Sequence, residues 1–495
     1  MNDNITTQIC EKNMSGDFST ELSMPDYEPE IRRLLRVGVT LTPPVGFADT
    51  GRVGMNGEII YDILYMGNDG SLYSTRARDR YELAEALKQN EKAGDITGII
   101  CEVTPESLVS RASAPRKISM RCKLRGRIRG FGEQEIAMRH TYIENPASIE
   151  KLTDECEYIW IFPSSLAEVR LSDDFSAELP SGTSGDIRII SHTATALCED
   201  IETSNDEATV KGTLYLSMLA TVDDEESLPF KLYRKIPFAE TIEVNDLTPT
   251  CKCIASVSCS ECNFTIEDNR IFCEPTIVIK LDAEETRRAE YTKDIYSTEV
   301  LSETTVKRYE FPSAGKVFSG NFTTAMSEQV SALAIPDGAE ISDATATAAV
   351  KNIETNGNKS LISGELCVNI LTKSDGEYIA KELKSPFKYE FDSGEQNPLF
   401  IECAVTPLFP RVKIDGERLL CDCELQVISR VFSKSQFTSV NEVIFGEKIA
   451  YDGATTVCFP SPTDTLWDIA KRYHIPTESI ISQESRIDRG EAIIF

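Results

Sequence analysis

The segment NGEIIYDIL at residues 56–64 recurs as KGTLYLSML at residues 211–219 and as SGELCVNIL at residues 363–371. The shared glycines, Gly57, Gly212 and Gly364, lie 155 and then 152 residues apart. A period of this length equals the size of an ordinary domain. The sequence therefore predicts three copies of one domain along the chain, followed by a remainder.

Other anchors keep the same order in each copy. An apolar residue and a proline precede each shared glycine, at Met24-Pro25, Leu179-Pro180 and Ile335-Pro336. A cysteine follows it, at Cys101, Cys253 and Cys403. From these anchors we predict repeat 1 at residues 1–146, repeat 2 at 147–299, repeat 3 at 300–450 and a C-terminal module at 451–495.

Short strands separated by turns dominate each repeat. The segments 209–220, 270–281 and 417–431 are rich in Val, Ile, Leu, Tyr and Thr, and turn-forming residues separate such segments. We therefore predict a mainly β protein with three β-sandwich-like repeat domains. Residues 81–88 (YELAEALK) would form a helix on propensity alone. Their equivalents in the other repeats alternate like strands, so we predict a strand here as well.

Charge and composition exclude several functional classes. The chain has 495 residues, 41% of them hydrophobic, and a formal net charge of −29. The field of such a molecule repels nucleic acids and anionic membranes. No apolar run is long enough to cross a bilayer, and residues 1–20 lack the pattern of a secretory signal. With 15 cysteines, an odd number, we expect reduced thiols and a cytoplasmic location.

The last forty residues follow a different pattern. A short strand at 457–459 leads through a polar turn into the stretch DTLWDIAKRY at residues 464–473, where apolar residues recur at helical spacing. Asp464 or Thr465 can cap this helix. A second short helix and a closing strand at 492–495 follow. The module is therefore predicted to be a small βααβ domain.

Two parts of the chain resemble known families. The stretch at residues 464–473 resembles the most recognisable motif of LysM domains, which are βααβ modules best known for binding N-acetylglucosamine polymers. The three repeats, with PDYEPEI at residues 25–31 opening the first, resemble the SPOCS domains of the SipL family. Repeated SPOCS-like units followed by one C-terminal LysM domain is the arrangement of that family.

The resemblance implies a non-catalytic morphogenetic protein of endospore-forming bacteria. Members of the family act in the mother-cell cytosol at the forespore surface, where they help to tether the spore coat. The LysM domain of the family is associated with binding a coat-basement ATPase of the SpoIVA type. Other coat proteins are further expected partners, and no cofactor is implied.

The module departs from the common LysM pattern at two loops. Thr463 replaces a usual glycine before the first helix, and Gln483 and Glu484 replace usual asparagines after the second. Because glycine permits close backbone approach to a sugar, these changes weaken the case for sugar binding. A protein partner fits the same groove at least as well, with peptidoglycan as the alternative. The predicted partner or glycan groove comprises Thr463, Asp464, Thr465, Leu466, Trp467, Ile469, Tyr473, Gln483 and Glu484.

A basic stripe interrupts the acidic chain in repeat 1. Lysine and arginine alternate with smaller or apolar residues between residues 120 and 129. In a strand this alternation places five cations on one face, namely Arg121, Lys123, Arg125, Arg127 and Arg129. The stripe is either a solvated face that acidic neighbouring strands neutralise, or a docking surface for an acidic partner.

Repeat 2 contains a group of cysteines with two interpretations. Cys251, Cys253, Cys259 and Cys262 could supply four thiolates to a zinc ion. Cysteine is also a common small core residue, and spacing alone does not establish a four-ligand site. We favour core packing and assign no metal.

The sequence contains no recognisable catalytic motif. It has three histidines, His140, His192 and His474, and none lies in a pattern typical of nucleophilic catalysis. A Gly-rich phosphate loop is also missing from the sequence. We therefore expect a binding protein rather than an enzyme.

Overall fold

The computed structural model describes residues 4–174, 186–222, 229–267, 270–394, 398–450, 455–487 and 489–495, without the side chains of residues 314 and 315. The protein is mainly β, as predicted. No helix among these residues has the length and apolarity that a membrane span requires.

Repeat 1 consists of two antiparallel sheets that pack face to face. Its strands are β1 (Asn4–Ser23), β2 (Ile31–Leu41), β3 (Val45–Asp49), β4 (Arg52–Gly67), β5 (Leu72–Ala86), β6 (Gly98–Ala114) and β7 (Lys117–Glu135). One sheet has the order β1-β7-β6, and in the other β2, β3 and β5 all pair with β4. Apolar residues from both sheets form one core. The segment at residues 81–86 is strand, as the comparison of the repeats predicted.

Repeat 2 has the same two-sheet plan. It is preceded by the short strand β8 (Arg139–Tyr142), and its own strands are β9 (Ile149–Ile161), β10 (Ser165–Arg170), β11 (Asp173–Asp174), β12 (Ile187–Ser204), β13 (Glu207–Val222), β14 (Phe230–Glu243), β15 (Lys252–Glu267) and β16 (Arg270–Ser297). One sheet has the order β12-β13-β14, and the other is built around the long strand β16. The core lies between them.

Repeat 3 has the same two-sheet plan, and one of its sheets also includes strand β8. Its strands are β17 (Val300–Gln329), β18 (Glu340–Asn356), β19 (Lys359–Ser374), β20 (Glu377–Asp392), β21 (Pro398–Pro407), β22 (Arg411–Asp415) and β23 (Arg418–Lys448). One sheet has the order β18-β19-β20, and the other is built around β23. Strand β8 pairs in parallel with the end of β23. The C-terminal end of the predicted repeat 1 therefore completes a sheet of repeat 3.

The C-terminal module contains two short strands and a compact helical segment. Its elements are β24 (Val457–Cys458), α1 (Leu466–Tyr473), α2 (Thr477–Ile480), α3 (Glu484–Ile487) and β25 (Ile493–Ile494), with a 3-10 turn between α2 and α3. Thr465 caps α1 by accepting a hydrogen bond from the Asp468 N–H, and Asp468 accepts one from the Thr465 N–H in return. The left-handed backbone of His474 ends the helix.

The glycine of the recurring segment lies opposite an aromatic residue in every repeat. In the strand ladder Gly57 lies opposite Tyr81, Gly212 opposite Phe238 and Gly364 opposite Phe387. In each case a Cβ atom on the glycine would collide with the opposite aromatic ring. The ring thus covers the glycine and fills the space that its missing side chain leaves. This pair explains why the segment recurs.

Replacing Gly364 by alanine tests the role of this pair. The added Cβ would collide with both the Phe387 ring and the carbonyl oxygen of Ala349. We expect Gly364→Ala to cost roughly 1–3 kcal/mol, because overpacking a dense core forces side chains and backbone to shift. Thermal and denaturant unfolding measure the loss. Gly94→Ala is the control, because its Cβ would meet no atom within 4 Å. Equal stability of the two variants would contradict this explanation.

The three repeats meet at equivalent positions. Leu64, Leu219 and Leu371, the last residues of the recurring segment, belong to one buried apolar cluster that all three repeats share. Their partners in the strand ladders are residues of three different types, namely Arg36, Ser191 and Asp343. Each of these partners directly follows a β-bulge. The repeats therefore contact one another through an approximately threefold arrangement.

Asp343 links all three repeats. Its carboxylate accepts a hydrogen bond from Arg36 of repeat 1 at 2.9 Å and contacts the Lys231 ammonium of repeat 2 at 2.5 Å. The Asp343 side chain is only 4% exposed. Burial opposes its ionisation, but the two cations hold its pKa below the ordinary value. We call this three-residue contact the central ion triad.

Removing the Asp343 carboxylate should weaken the junction. Asp343→Ala leaves Arg36 and Lys231 without their shared partner in a largely buried place, and such losses typically cost about 3–5 kcal/mol. Thermal unfolding and limited proteolysis between the repeats would detect the change. The control Glu390→Ala breaks an exposed pair with Lys359, and exposed pairs of this kind contribute little to stability. A loss at Asp343 no larger than that of the control would show that the junction does not depend on it.

Candidate docking site

The C-terminal module is fastened to repeat 2 through helix α1. The Trp467 indole N–H donates to the Asp294 carboxylate at 2.8 Å, and the Lys471 ammonium donates to the same carboxylate at 2.6 Å. The Tyr296 hydroxyl donates to the carbonyl oxygen of Ile475 at 2.7 Å, and its ring packs edge-on against Trp467. These contacts hold one face of the module against the end of β16.

The residues of the predicted groove have several different roles. Ile469 is fully buried in the core of the module, and Leu466 packs against that core. Thr465 is the cap of α1, and Asp464 forms an ion pair with Arg472 at 2.7 Å. Trp467 contacts repeat 2. These five residues therefore shape the module and attach it.

The remaining groove residues lie nearer to solvent. Thr463 and Glu484 are exposed, and Tyr473 is 38% exposed beside the ring of Phe495. The Gln483 amide joins the helical segment to β25, because it donates to the carbonyl oxygen of Ile494 and accepts from the N–H of the same residue. Gln483 therefore positions the surface around Ile494.

The sequence interpretation missed an apolar surface on the module. Val457 and Ile494 face each other across the β24–β25 pair and are 52% and 50% exposed. Phe459 and Ile481 are exposed by 75% and 59%. We call these four residues and Tyr473 the apolar patch. The detectable signal was the alternation around the buried Cys458 and Ile493, which sends their neighbours outward.

The basic stripe of repeat 1 is largely neutralised by its own sheet. Its strand β7 lies between β1 and β6. The Arg121 guanidinium pairs with Asp17 at 3.2 Å, and the Lys123 ammonium pairs with Glu106 at 2.8 Å. These pairs fit the interpretation that acidic neighbouring strands balance the stripe.

The stripe is not one continuous exposed face. Arg129 is 2% exposed, because repeat 3 covers that end of β7. Its guanidinium lies 3.9 Å from the ring centre of Phe400 and pairs with Glu11 at 3.1 Å. The predicted alternation along β7 is present, but Arg129 at its end is buried and does not belong to a solvated face. Arg125 and Arg127 remain exposed.

The cysteines of repeat 2 pack in its core. Cys251, Cys259 and Cys262 are buried, and Cys253 is partly buried. A bulge between Cys259 and Glu261 brings both Cys259 and Cys262 to the inner face. Burial raises the pKa of Cys259 to about 11 and that of Cys253 to about 12. Among the described residues no group of three or more His, Cys, Asp or Glu side chains is arranged to hold a metal ion.

A cavity of about 220 Å³ with buried charges lies at the junction of the repeats. Arg430 pairs with Glu284 and lies 3.7 Å from Glu402, while Lys280 pairs with Asp282 at 3.0 Å. Burial and, to a smaller extent, the neighbouring Glu102 together raise the pKa of Glu402 to about 8. At neutral pH Glu402 is therefore mainly protonated and contributes no uncompensated charge to the junction.

This protonation predicts a pH-dependent contribution to stability. Between the ordinary pKa of 4.5 and about 8, Glu402 is ionised in the unfolded chain and protonated in the folded chain. Its contribution to the free energy of unfolding therefore falls as the pH rises through this interval. Since Glu402→Gln is neutral throughout, we expect the stability of this variant relative to the natural chain to increase from about pH 5 to about pH 8.

Thermal unfolding at a series of pH values measures this difference. The exposed Glu447 provides the control, because Glu447→Gln removes a carboxyl group that the fold does not bury. A constant difference for Glu402→Gln would show that Glu402 is ionised in the folded protein.

The histidines have local packing roles. His140 stacks against Tyr142 and Phe445 where β8 joins repeat 3. The ring of His192 lies 2.9 Å from the Arg76 guanidinium, and burial together with this cation lowers its pKa to about 4. Nδ1 of His474 lies 3.1 Å from the carbonyl oxygen of Ser297. Each histidine thus contributes to a contact between parts of the chain.

No protein-family model, curated protein or solved structure matches this chain. The assignment of function therefore depends on the geometry of the docking surfaces and on the family resemblance of the sequence.

Proposed function

We propose that the protein is a non-catalytic scaffold of the SipL type that acts in endospore coat assembly. Its C-terminal LysM-like module docks onto a coat-basement ATPase of the SpoIVA type, and the three SPOCS-like repeats form the body that is tethered. The site of action is the mother-cell cytosol at the forespore surface. The observation that carries the proposal is the apolar patch on the module.

The position of the patch supports docking to a protein. One face of α1 is occupied by repeat 2 through Trp467 and Lys471, whereas Val457 and Ile494 lie on the outer side of the two-stranded sheet. Several large exposed apolar side chains on one small module are typical of a protein-binding surface. The module is thus attached to repeat 2 by one face, and it exposes another face to a partner.

The chemistry of the patch also favours a protein over a glycan. A glycan site in a LysM-like module needs close backbone approach to the sugar, and Thr463 has a Cβ where glycine would permit such approach. Phe459 and Ile481 instead offer apolar area, which contributes about 25 cal/mol per Å² when a partner covers it. A complementary apolar groove on the ATPase is the expected counterpart.

Substitution within the patch tests the proposal. The full chain carrying Phe459→Ser and Ile481→Ser should bind the immobilised coat ATPase at least tenfold more weakly than the natural chain, because the variant loses the two most exposed apolar side chains of the patch. Surface plasmon resonance measures this affinity. Both residues are exposed, so thermal unfolding should change little.

The control is a double variant with the same chemistry at other exposed sites. Val109→Ser with Val306→Ser removes apolar groups that are 64% and 60% exposed in repeats 1 and 3, and the affinity should stay within twofold. Sedimentation with insoluble peptidoglycan forms the second arm. Retention by peptidoglycan without capture by the ATPase would replace the proposal by glycan binding, and equal loss in both double variants would exclude the patch.

A further inference from the structure

A groove of about 630 Å³ separates repeat 1 from repeat 3. One wall is the outer face of β7 with Arg125 and Arg127, and the other includes β18 at residues 350–355. Leu399 and Phe400 also line the groove. This interrepeat groove lies in different repeats from the one that holds the C-terminal module.

The cations of this groove differ from the rest of the basic stripe. Arg121, Lys123 and Arg129 each form an ion pair with a carboxylate of β1 or β6. Arg125 and Arg127 form none within 4 Å in the described part of the chain, and Arg127 donates only to the amide oxygen of Asn13 at 3.1 Å. Arg127 lies opposite Glu102 in the strand ladder and interacts with it electrostatically, but neither exposed guanidinium has an ion pair within 4 Å in the described part of the chain, which is notable at a net charge of −29.

The floor of the groove contains a polar atom without a partner. Glu102 lines the groove, and its Oε1 is buried with no hydrogen-bond partner among the described residues. A buried polar group of this kind costs free energy until a ligand or neighbour satisfies it. The groove therefore combines positive charge, apolar area and an unsatisfied carboxyl oxygen.

We propose that the interrepeat groove binds an acidic peptide segment in extended conformation. Arg125 and Arg127 project from the same face of a strand, roughly 7 Å apart. Alternate side chains of an extended peptide have the same spacing, so two glutamates separated by one residue can each form a charge-assisted hydrogen bond. The intervening residues then face the apolar side chains of the opposite wall.

A peptide fits this groove better than an inorganic polyanion. The lining includes Val350, Ile353 and Leu399 as well as arginines, and a polyphosphate has no apolar group to place against them. A peptide backbone also offers both donors and acceptors to Glu102, in either protonation state of that carboxyl, whereas a polyphosphate offers only acceptors.

A labelled synthetic peptide tests the proposal on the full chain. The probe is a fluorescent peptide of alternating glutamate and valine, and binding is measured by fluorescence anisotropy at low and physiological salt. We expect saturable binding that weakens with salt, as charged contacts at the surface do. The same peptide with glutamine in place of glutamate should bind at least tenfold more weakly.

Substitutions on both walls locate the binding site. Arg125→Gln with Arg127→Gln should lower the affinity at least tenfold. Thr355→Glu, which adds a negative charge to the exposed end of the opposite wall, should lower it severalfold. The matched control is Arg411→Gln with Lys413→Gln, because these residues are also exposed cations two positions apart on one strand and have no described ion pair. That control should bind like the natural chain.

Each other outcome overturns the proposal. If the peptide still binds the Arg125 and Arg127 variant, or if the Arg411 and Lys413 control loses as much affinity, the groove is not the binding site of the peptide. Tighter binding of inorganic polyphosphate than of the peptide, with the same dependence on Arg125, would assign the groove to phosphate polymers. No binding of the peptide by the natural chain, at unchanged thermal stability of all variants, would exclude the groove as a peptide site.

Discussion

The arrangement of the three repeats depends on the buried contact of Asp343 with Arg36 and Lys231. Taking a carboxylate out of water costs several kcal/mol, and only well-placed opposite charges offset that cost. Here the two cations come from two other repeats. The charge of the carboxylate is therefore balanced only when all three repeats are together. For this reason the contact favours one relative arrangement of the repeats. The apolar cluster around Leu64, Leu219 and Leu371 supplies attraction but little orientation.

This central ion triad also explains an advantage of joining the repeats in one chain. Arg36, Ser191 and Asp343 occupy equivalent positions, which identical subunits would fill with one residue type. Three arginines or three aspartates at such a point would repel one another. Covalent linkage lets the copies diverge, so that one equivalent position carries the cation and another the carboxylate. The same asymmetry appears on the strands that meet at the junction cavity, which carry Arg430 in repeat 3 and Asp282 in repeat 2.

The sequence predicted the strands that all three repeats share, and it missed the contacts that differ from one repeat to another. The segment with its glycine recurs because an aromatic ring covers that glycine in each copy, so periodicity revealed the strands, including residues 81–86. Contacts between repeats leave no periodic trace, and the pairing of β8 with β23 was therefore not predicted. The same limit applied to the sites. Alternation placed five cations on one face of β7 but could not show that Phe400 covers Arg129. Helical spacing identified Trp467 without showing that Asp294 of repeat 2 is its partner.

The two proposed docking surfaces lie on different parts of one joined body. The apolar patch belongs to the module that Asp294 fastens to repeat 2, and the interrepeat groove belongs to repeats 1 and 3. Two modest contacts on one body reinforce each other when a partner assembly can reach both, because the second contact then forms at a high effective concentration. That gain requires the two surfaces to keep their separation. Asp343 at the junction and Asp294 at the module are two carboxylates that help to maintain it, and neither needs to contact a partner to affect the avidity of the protein.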